Sequence, residues 1–159
     1  MSLSIGDRAP DFDVVASNGR RLSSTELYGK KTVVIYFYPG DFTPVCTKET
    51  CGFQDMYDDL VGKETEVIGV SLDSDESHRK FAKRYDVAFP LVSDEGRALS
   101  TKFGAFDGMM GVLRGLMNKV RRVTYVIDRS GKIAGIFTGE LVASNHTDGV
   151  RDLIAKLSA

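Results

Sequence analysis

The chain is poor in the features that mark nucleic-acid-binding, membrane-spanning and metal-binding proteins. Its 159 residues carry a formal net charge of −1, which gives no support for a nucleic-acid or membrane-surface role. Its apolar runs are all shorter than the roughly 18 residues that a membrane-spanning helix needs. With two histidines and two cysteines, it lacks the ligand spacing of a metal site. We therefore expect no nucleic-acid partner, no membrane span, no metal and no other cofactor.

The N-terminal segment also lacks a targeting pattern, because residues 1–7 hold no basic region followed by an apolar stretch. Two cysteines without a secretory signal fit a cytoplasmic location, where paired thiols tend to be redox-active or metal-bound. No repeat, low-complexity tract or linker divides the sequence, and its length suits one folding unit. We expect a single domain over residues 1–159.

Strand-like and helix-like segments alternate along the chain. Two runs rich in β-branched residues, at 32–38 and 66–71, predict central strands covered on both faces. The remaining pattern predicts a small hairpin (12–15 with 20–22), helices at 43–60, 73–85 and 94–103, a strand at 89–92, an antiparallel pair (122–128 with 133–138) and a closing helix through Val150, Leu153, Ile154 and Leu157. This order implies an α/β protein with a mixed central sheet and helices on both faces.

Both cysteines lie where the strand at 32–38 gives way to a helix. Thr43 is a good N-cap residue and Pro44 suits the first helical position, so Cys46 falls in the first helical turn. There the unpaired backbone N–H groups and the positive end of the helix dipole favour a thiolate over a thiol. The segment therefore indicates a reactive-thiol site, and the alternative is a buried cysteine that acts as a small hydrophobe.

The spacing of Cys46 and Cys51 restricts how they can pair. Five positions along an intact α-helix correspond to about 7.5 Å of rise and about 140° of rotation, which places the Cα atoms about 8–9 Å apart. A disulfide needs them within about 7 Å, so the helix must unwind locally before the two residues can bond. A bond that forces unwinding is labile, which is the behaviour of a catalytic disulfide and not of a structural one.

These residues resemble a known active-site motif. The pattern Pro39-x-x-x-Thr43-x-x-Cys46 resembles that of the peroxiredoxins, and the second cysteine at position 51 resembles the peroxiredoxin Q (bacterioferritin comigratory protein) subfamily. Similarity also covers 6–12, 89–94 and 122–128, with 106–120 the least similar stretch. The resemblance implies a thioredoxin-like fold and a thiol-dependent peroxidase that reduces hydrogen peroxide and organic hydroperoxides.

The resemblance also implies roles for the two thiols. Cys46 would be the peroxidatic residue, which attacks a peroxide and becomes a sulfenic acid. Cys51 would be the resolving residue, whose thiolate attacks that sulfenic acid and forms an intramolecular disulfide. Thioredoxin or a similar protein would then reduce the disulfide, and the protein would act as a monomer or a weak homodimer.

Two charged residues are assigned to the site on the same resemblance. Arg122 matches the family arginine that faces the thiolate from a neighbouring strand, where its charge would stabilise the thiolate and the leaving oxygen. Arg121 is the alternative, because adjacent strand residues point to opposite faces, and we expect it to be a solvated surface charge. Glu49, one helical turn after Cys46, would orient the arginine; an exposed helix charge is the alternative.

The remaining predicted site residues surround the reactive cysteine in sequence. Thr43 would cap the helix and direct its own proton towards the sulfur or a peroxide oxygen. Pro39 would restrict the backbone and help to shield the sulfur from bulk water. Tyr38, Phe42 and Val45 are expected to line the substrate pocket, with a place in the core as the alternative for the two aromatic residues.

Other features receive less weight. His78 is expected on a charged helix face and His146 near a helix start. The apolar residues at 109–117 are expected to pack on the core, with an interface as the alternative. Two other functions stay open. One is a thiol–disulfide oxidoreductase acting on proteins, which usually has Cys-x-x-Cys spacing, and the other is a redox sensor that uses helix unwinding as a switch.

Overall fold

The computed structural model describes residues 3–106, 120–139 and 144–158, and the predicted packing of the apolar residues at 109–117 lies outside them. The strands are β1 (Asp13–Val15), β2 (Arg21–Ser23), β3 (Thr32–Phe37), β4 (Thr65–Ser71), β5 (Leu91–Ser93), β6 (Val123–Ile127) and β7 (Ile133–Thr138). The helices are α1 (Ser24–Leu27), α2 (Pro44–Asp55), α3 (Tyr57–Gly62), α4 (Asp75–Tyr85), α5 (Ala98–Lys102) and α6 (Ser144–Leu157).

The central sheet is mixed, as the order of elements predicts. Five strands lie in the order β5-β4-β3-β6-β7, with β3, β4 and β5 parallel and β6 antiparallel to both of its neighbours. All six residues of β3 are buried, which fits its central place. Phe37, at the end of β3, pairs with Val123, at the start of β6. Residues just after β3 and just before β6 therefore meet at one edge of the sheet.

Helices cover both faces of this sheet, because alternate strand residues point to opposite sides. Val33, Ile35 and Phe37 of β3 belong to a core shared with the N-terminal hairpin, α1 and α5. Val34 and Tyr36 belong to a second core shared with α2, α3, α4 and α6. The helix that begins after β3 thus packs on the second face, with its first turn at the carboxyl end of the central strand.

Two predicted helices differ from the observed ones. The helix predicted at 43–60 is two helices, because Met56 leaves helical geometry with φ −106° and ψ 6°. The next residue, Tyr57, donates its hydroxyl to Glu66 Oε1 on β4 at 3.0 Å, a tertiary contact that helical periodicity does not contain. The helix predicted at 94–103 begins later, because the Asp94 carboxylate accepts the backbone N–H groups of Leu99 and Ser100 from outside the helix.

The described residues contain no helix that combines the length and the apolar composition needed to cross a membrane. They also contain no cluster of three histidine, cysteine or acidic side chains that could hold a metal ion.

Candidate active site

Cys46 is the third residue of α2 and is completely buried, with a free thiol. The turn that places it there passes through Phe42 in the left-handed region (φ 64°), then Thr43 in extended geometry, then Pro44 at the first helical position. Left-handed backbone is disfavoured for a residue with a side chain, so tertiary contacts must hold this turn. The sulfur consequently lies within the first helical turn, where backbone N–H groups lack intrahelical partners.

Thr43 is the N-cap residue, as predicted, but its side chain does not cap the helix. The hydroxyl instead donates to the carbonyl oxygen of Gly40 at 2.9 Å, which closes the turn before the helix. The predicted capping bond and the predicted direction of the Thr43 proton towards the sulfur are therefore both wrong, because the left-handed residue Phe42 folds the chain back and brings the Gly40 carbonyl within reach. The hydroxyl oxygen still has lone pairs with which to accept a bond.

Arg122 brings a fixed positive charge to the sulfur. Its Nη2 donates to Cys46 Sγ at 3.0 Å, and the side chain is only 4% exposed. The two residues meet because β6 starts where β3 ends and α2 begins just beyond that end. A buried guanidinium at this distance favours a thiolate and can stabilise charge that moves onto a leaving oxygen.

Glu49 holds the other side of the guanidinium. Its Oε1 accepts from Arg122 Nη1 at 3.2 Å, and its side chain is completely buried. Because it follows Cys46 by one helical turn, both side chains face the strand that supplies the arginine. The alternative of an exposed helix charge is excluded.

Arg121 lies elsewhere and the expectation that it is a solvated surface charge is wrong. It is half-buried, and its Nη2 donates to the carbonyl oxygen of Gly104 at 2.6 Å. Since neighbouring strand positions face opposite ways, it ties the end of α5 to the sheet while Arg122 faces the sulfur.

Cys51 is half-buried and lies in the same unbroken helix as Cys46, with a free thiol. Burial raises its pKa above the ordinary value, and the nearby negative charge of Asp55 adds to this effect. In the intact helix the two Cα atoms are about 8–9 Å apart by helical geometry. The helix therefore has to open before the two sulfur atoms can bond.

The predicted pocket residues differ in how deeply they are buried. Tyr38 is fully buried in the second core, and its ring stacks on that of Tyr36 at 5.3 Å between centroids. Phe42 is 49% exposed and packs on α4, with its ring 5.1 Å from that of Phe81. Tyr38 thus takes the alternative core position, whereas Phe42 does not, because about half of its surface is exposed. Pro39 and Val45 are half-buried.

A buried polar cluster anchors the turn before α2. The backbone N–H of Asp41 donates to Asp73 Oδ2 at 2.8 Å. The side-chain Oδ1 of Asp41 accepts from the Tyr38 hydroxyl at 2.7 Å. Its Oδ2 accepts from the Ser77 hydroxyl and lies 2.8 Å from His78 Nδ1. The expectation that His78 lies on a charged helix face is wrong, since the ring is completely buried.

His146 is a second buried histidine, and sequence reasoning did not connect it with the site. Its ring lies against Glu49 and Thr124, with its Nδ1 3.2 Å from Glu49 Oε2. The signal was present in the helical spacing, because residues 146, 150 and 154 are all buried on one face of α6. The same is true of His78, which shares a face of α4 with Phe81.

Comparison with known proteins identifies relatives over most of the chain. Residues 5–136 match the model of the AhpC/TSA family. The chain is 38% identical over 152 residues to peroxiredoxin Q, chloroplastic, of Sedum lineare, and the matched region covers 96% of this chain and 78% of that protein. It is 37% identical over 152 residues to peroxiredoxin Q, chloroplastic, of Populus jackii, covering 96% and 68%.

Solved structures show the same similarity. Peroxidoxin BcpB from Mycobacterium tuberculosis superposes with a TM-score of 0.82 at 29% identity, over 98% of this chain and 96% of that one. The bacterioferritin comigratory protein of Xanthomonas campestris, described for its alkyl peroxide reduction activity, superposes with a TM-score of 0.82 at 28% identity, over 99% and 98%. These relatives have a thioredoxin-like fold, so the predicted fold class is confirmed.

Proposed function

The chain belongs to the AhpC/TSA family, whose peroxiredoxin members are thiol-dependent peroxidases, and we propose that it reduces peroxides with Cys46 as the nucleophile. One observation carries this proposal: the guanidinium of Arg122 lies 3.0 Å from a buried sulfur in the first turn of a helix. Helix start and guanidinium act in the same direction, since both favour the thiolate.

The first step follows from this arrangement. The Cys46 thiolate attacks the terminal oxygen of the peroxide, so an S–O bond forms while the O–O bond breaks. The leaving oxygen takes up a proton and departs as water or an alcohol, and the sulfur is oxidised to a sulfenic acid. Arg122 stabilises the negative charge as it moves from sulfur to the leaving oxygen.

The second step uses Cys51. After α2 opens, the Cys51 thiolate attacks the sulfenic sulfur, an S–S bond forms, and the hydroxyl group leaves as water after protonation. An external dithiol then attacks the disulfide and restores both thiols while it is itself oxidised. A thioredoxin-like protein is the proposed dithiol, because peroxiredoxins use such reductants.

Full burial of Cys46 supports a small substrate over the alternative of a protein disulfide. Thiol–disulfide exchange requires a partner sulfur to reach the attacking sulfur together with its polypeptide, whereas a peroxide brings two small oxygen atoms. Hydrogen peroxide and organic hydroperoxides are therefore the proposed substrates. A cytoplasmic location and a monomeric or weakly dimeric state also remain proposals, the former supported by the pair of free thiols.

The test is stopped-flow consumption of hydrogen peroxide and an alkyl hydroperoxide in the presence of thioredoxin and its reductase. We expect rapid turnover by the native protein and none by Cys46→Ser, because a serine hydroxyl does not supply an equivalent nucleophile at neutral pH. Circular dichroism checks that the variant is folded. Sustained turnover by folded Cys46→Ser would overturn the assignment of the nucleophile, and peroxide oxidation without turnover would favour a redox sensor.

A further inference from the structure

The imidazole of His146 lies at the far end of the buried charges behind Cys46. Its Nε2 is 3.0 Å from the carbonyl oxygen of Gly139, and its Nδ1 is 2.7 Å from Thr124 Oγ1 and 3.2 Å from Glu49 Oε2. The ring is completely buried. Its two nitrogen atoms therefore face fixed partners and not solvent.

These partners restrict where the ring carries its protons. A carbonyl oxygen can only accept, so Nε2 must carry a proton that it donates to Gly139. Nδ1 lies 2.7 Å from Thr124 Oγ1, whose hydroxyl can donate to it or accept from it, and an unprotonated Nδ1 would also place its lone pair 3.2 Å from an oxygen of the Glu49 carboxylate. A second proton on Nδ1 removes that repulsion and makes the ring a cation that pairs with Glu49.

With that second proton, charge would alternate along four neighbouring groups: the Cys46 thiolate, the Arg122 guanidinium, the Glu49 carboxylate and the His146 imidazolium. All four side chains are at most 4% exposed. Burying charge is expensive, and the Glu49 carboxylate is a second negative charge close to the thiolate, which disfavours the thiolate form. A cation at His146 would offset the charge of Glu49.

We propose that His146 is a positioning residue that, as an imidazolium, balances Glu49 and so leaves the charge of Arg122 to the thiolate form of Cys46. The inference rests on the proposed function in so far as Cys46 is the reacting thiol. A neutral His146 would let Glu49 compete with the sulfur for the guanidinium, and the thiolate would be less populated.

Two further sets of titratable groups among the described residues, on β3 and on α6, do not share this role. On β3, the Tyr36 hydroxyl lies 2.9 Å from Thr50 Oγ1, and burial raises the pKa of Tyr36 well above its ordinary value, so it stays neutral. On α6 itself, Arg151 lies 3.4 Å from Asp148, and both side chains are more than half exposed. Solvent screens that exposed pair from the buried ring.

The first test leaves His146 unchanged. Nitrogen and carbon chemical shifts of the assigned imidazole are measured against pH in Cys51→Ser and in the double variant Cys46→Ser/Cys51→Ser. We expect a doubly protonated ring at pH 7 in Cys51→Ser and a lower titration midpoint in the double variant, because coupling between two sites is reciprocal. A neutral ring at pH 7, or equal midpoints, would overturn the proposal.

The second test measures the thiolate without peroxide, so its failure is distinct from failure of the peroxidase function. Cys46 of Cys51→Ser is alkylated with iodoacetamide across a range of pH, with and without His146→Asn. Asparagine keeps an N–H donor near Glu49 but has no charge. We expect the alkylation profile to move to higher pH by about one unit, so that the rate at the parent's midpoint falls about fivefold and recovers at high pH.

The matched control is Arg151→Gln, which removes an exposed cation from the same helix. Its alkylation profile should coincide with that of Cys51→Ser. The proposal is overturned if the alkylation profile with His146→Asn coincides with that of Cys51→Ser. It is also overturned if His146→Asn lowers the alkylation rate equally at every pH, so that high pH does not restore it. If His146→Asn does not fold, the imidazole titration decides alone.

Discussion

His78 Nδ1 lies 2.8 Å from Asp41 Oδ2, and the two side chains are 0% and 1% exposed. Nε2 of the same ring lies 3.1 Å from the Val92 carbonyl oxygen, so both ring nitrogen atoms face an oxygen that can accept a hydrogen bond. Asp41 lies in the turn that precedes α2, and the pair therefore connects the start of the reactive helix to α4 and β5. Removing the imidazole would leave the buried Asp41 carboxylate with the Tyr38 and Ser77 hydroxyls but without a close polar partner from His78.

We predict that His78→Asn lowers the free energy of unfolding by about 2 kcal/mol, the order of loss when a buried polar group loses a close partner. Urea unfolding followed by circular dichroism measures it. Lys80→Gln is the control on the same helix, because the Lys80–Glu76 pair is exposed and should contribute under about 0.5 kcal/mol. Equal losses for the two variants would show that the buried pair does not stabilise the fold.

Variants of Arg122 and Arg121 should separate effects on the reactivity of the Cys46 thiol from effects on the stability of the fold. Arg122→Met removes the donor at the sulfur, and we predict that peroxide oxidation of Cys46 slows by about 100-fold or more. Arg121→Met removes a hydrogen bond to Gly104 and should lower stability while it leaves the oxidation rate nearly unchanged. Stopped-flow oxidation and urea unfolding of both variants provide the test. If Cys46 were oxidised more slowly in Arg121→Met than in Arg122→Met, the assignment of Arg122 to the thiol would be wrong.

Disulfide formation should depend on pH through Cys51. Its pKa is raised, first by burial and then by Asp55, so the neutral thiol dominates at pH 7 and the attacking thiolate increases as pH rises towards the raised pKa. We predict that the step from sulfenic acid to disulfide accelerates by up to about tenfold per pH unit over this range. Acid quenching and mass spectrometry after one equivalent of peroxide measure this step.

Two variants sharpen that measurement. Asp55→Asn removes the second cause of the raised pKa and should modestly speed the step at pH 7. Cys51→Ser should consume one equivalent of peroxide and stop at the sulfenic acid, which is then prone to overoxidation. A rate that does not change between pH 7 and pH 9 would mean that opening of α2, not the Cys51 thiolate, limits the step.

Oxidation should open α2. Because the intact helix keeps the two cysteines too far apart to bond, amides at 45–55 that resist hydrogen exchange in the reduced protein should exchange in the disulfide form. Peroxide-treated Cys46→Ser is the control and should keep its protection. Identical protection in both redox states, with the Cys46–Cys51 bond verified by mass spectrometry, contradicts the unwinding argument. A disulfide-linked dimer would contradict an intramolecular resolving role.

Local patterns determined much of this protein by themselves. The β-branched runs mark β3 and β4, because such residues suit strands that are buried on both faces. Thr43 and Pro44 mark the start of α2 and place Cys46 in its first turn, because capping preferences depend on neighbouring residues alone. The order of the elements is sufficient to predict a mixed sheet with helices on both faces.

Only the tertiary structure decided which charges are buried and with what partners. Arg122 and Cys46 are 76 positions apart in the chain, and the pairing of β3 with β6 brings them together. His78 and His146 resemble solvated helix residues when their neighbours in sequence are counted, yet each ring is buried against a carboxylate from a distant segment. Burial and ion pairing depend on distances across the folded chain, and sequence spacing within one helix does not contain those distances.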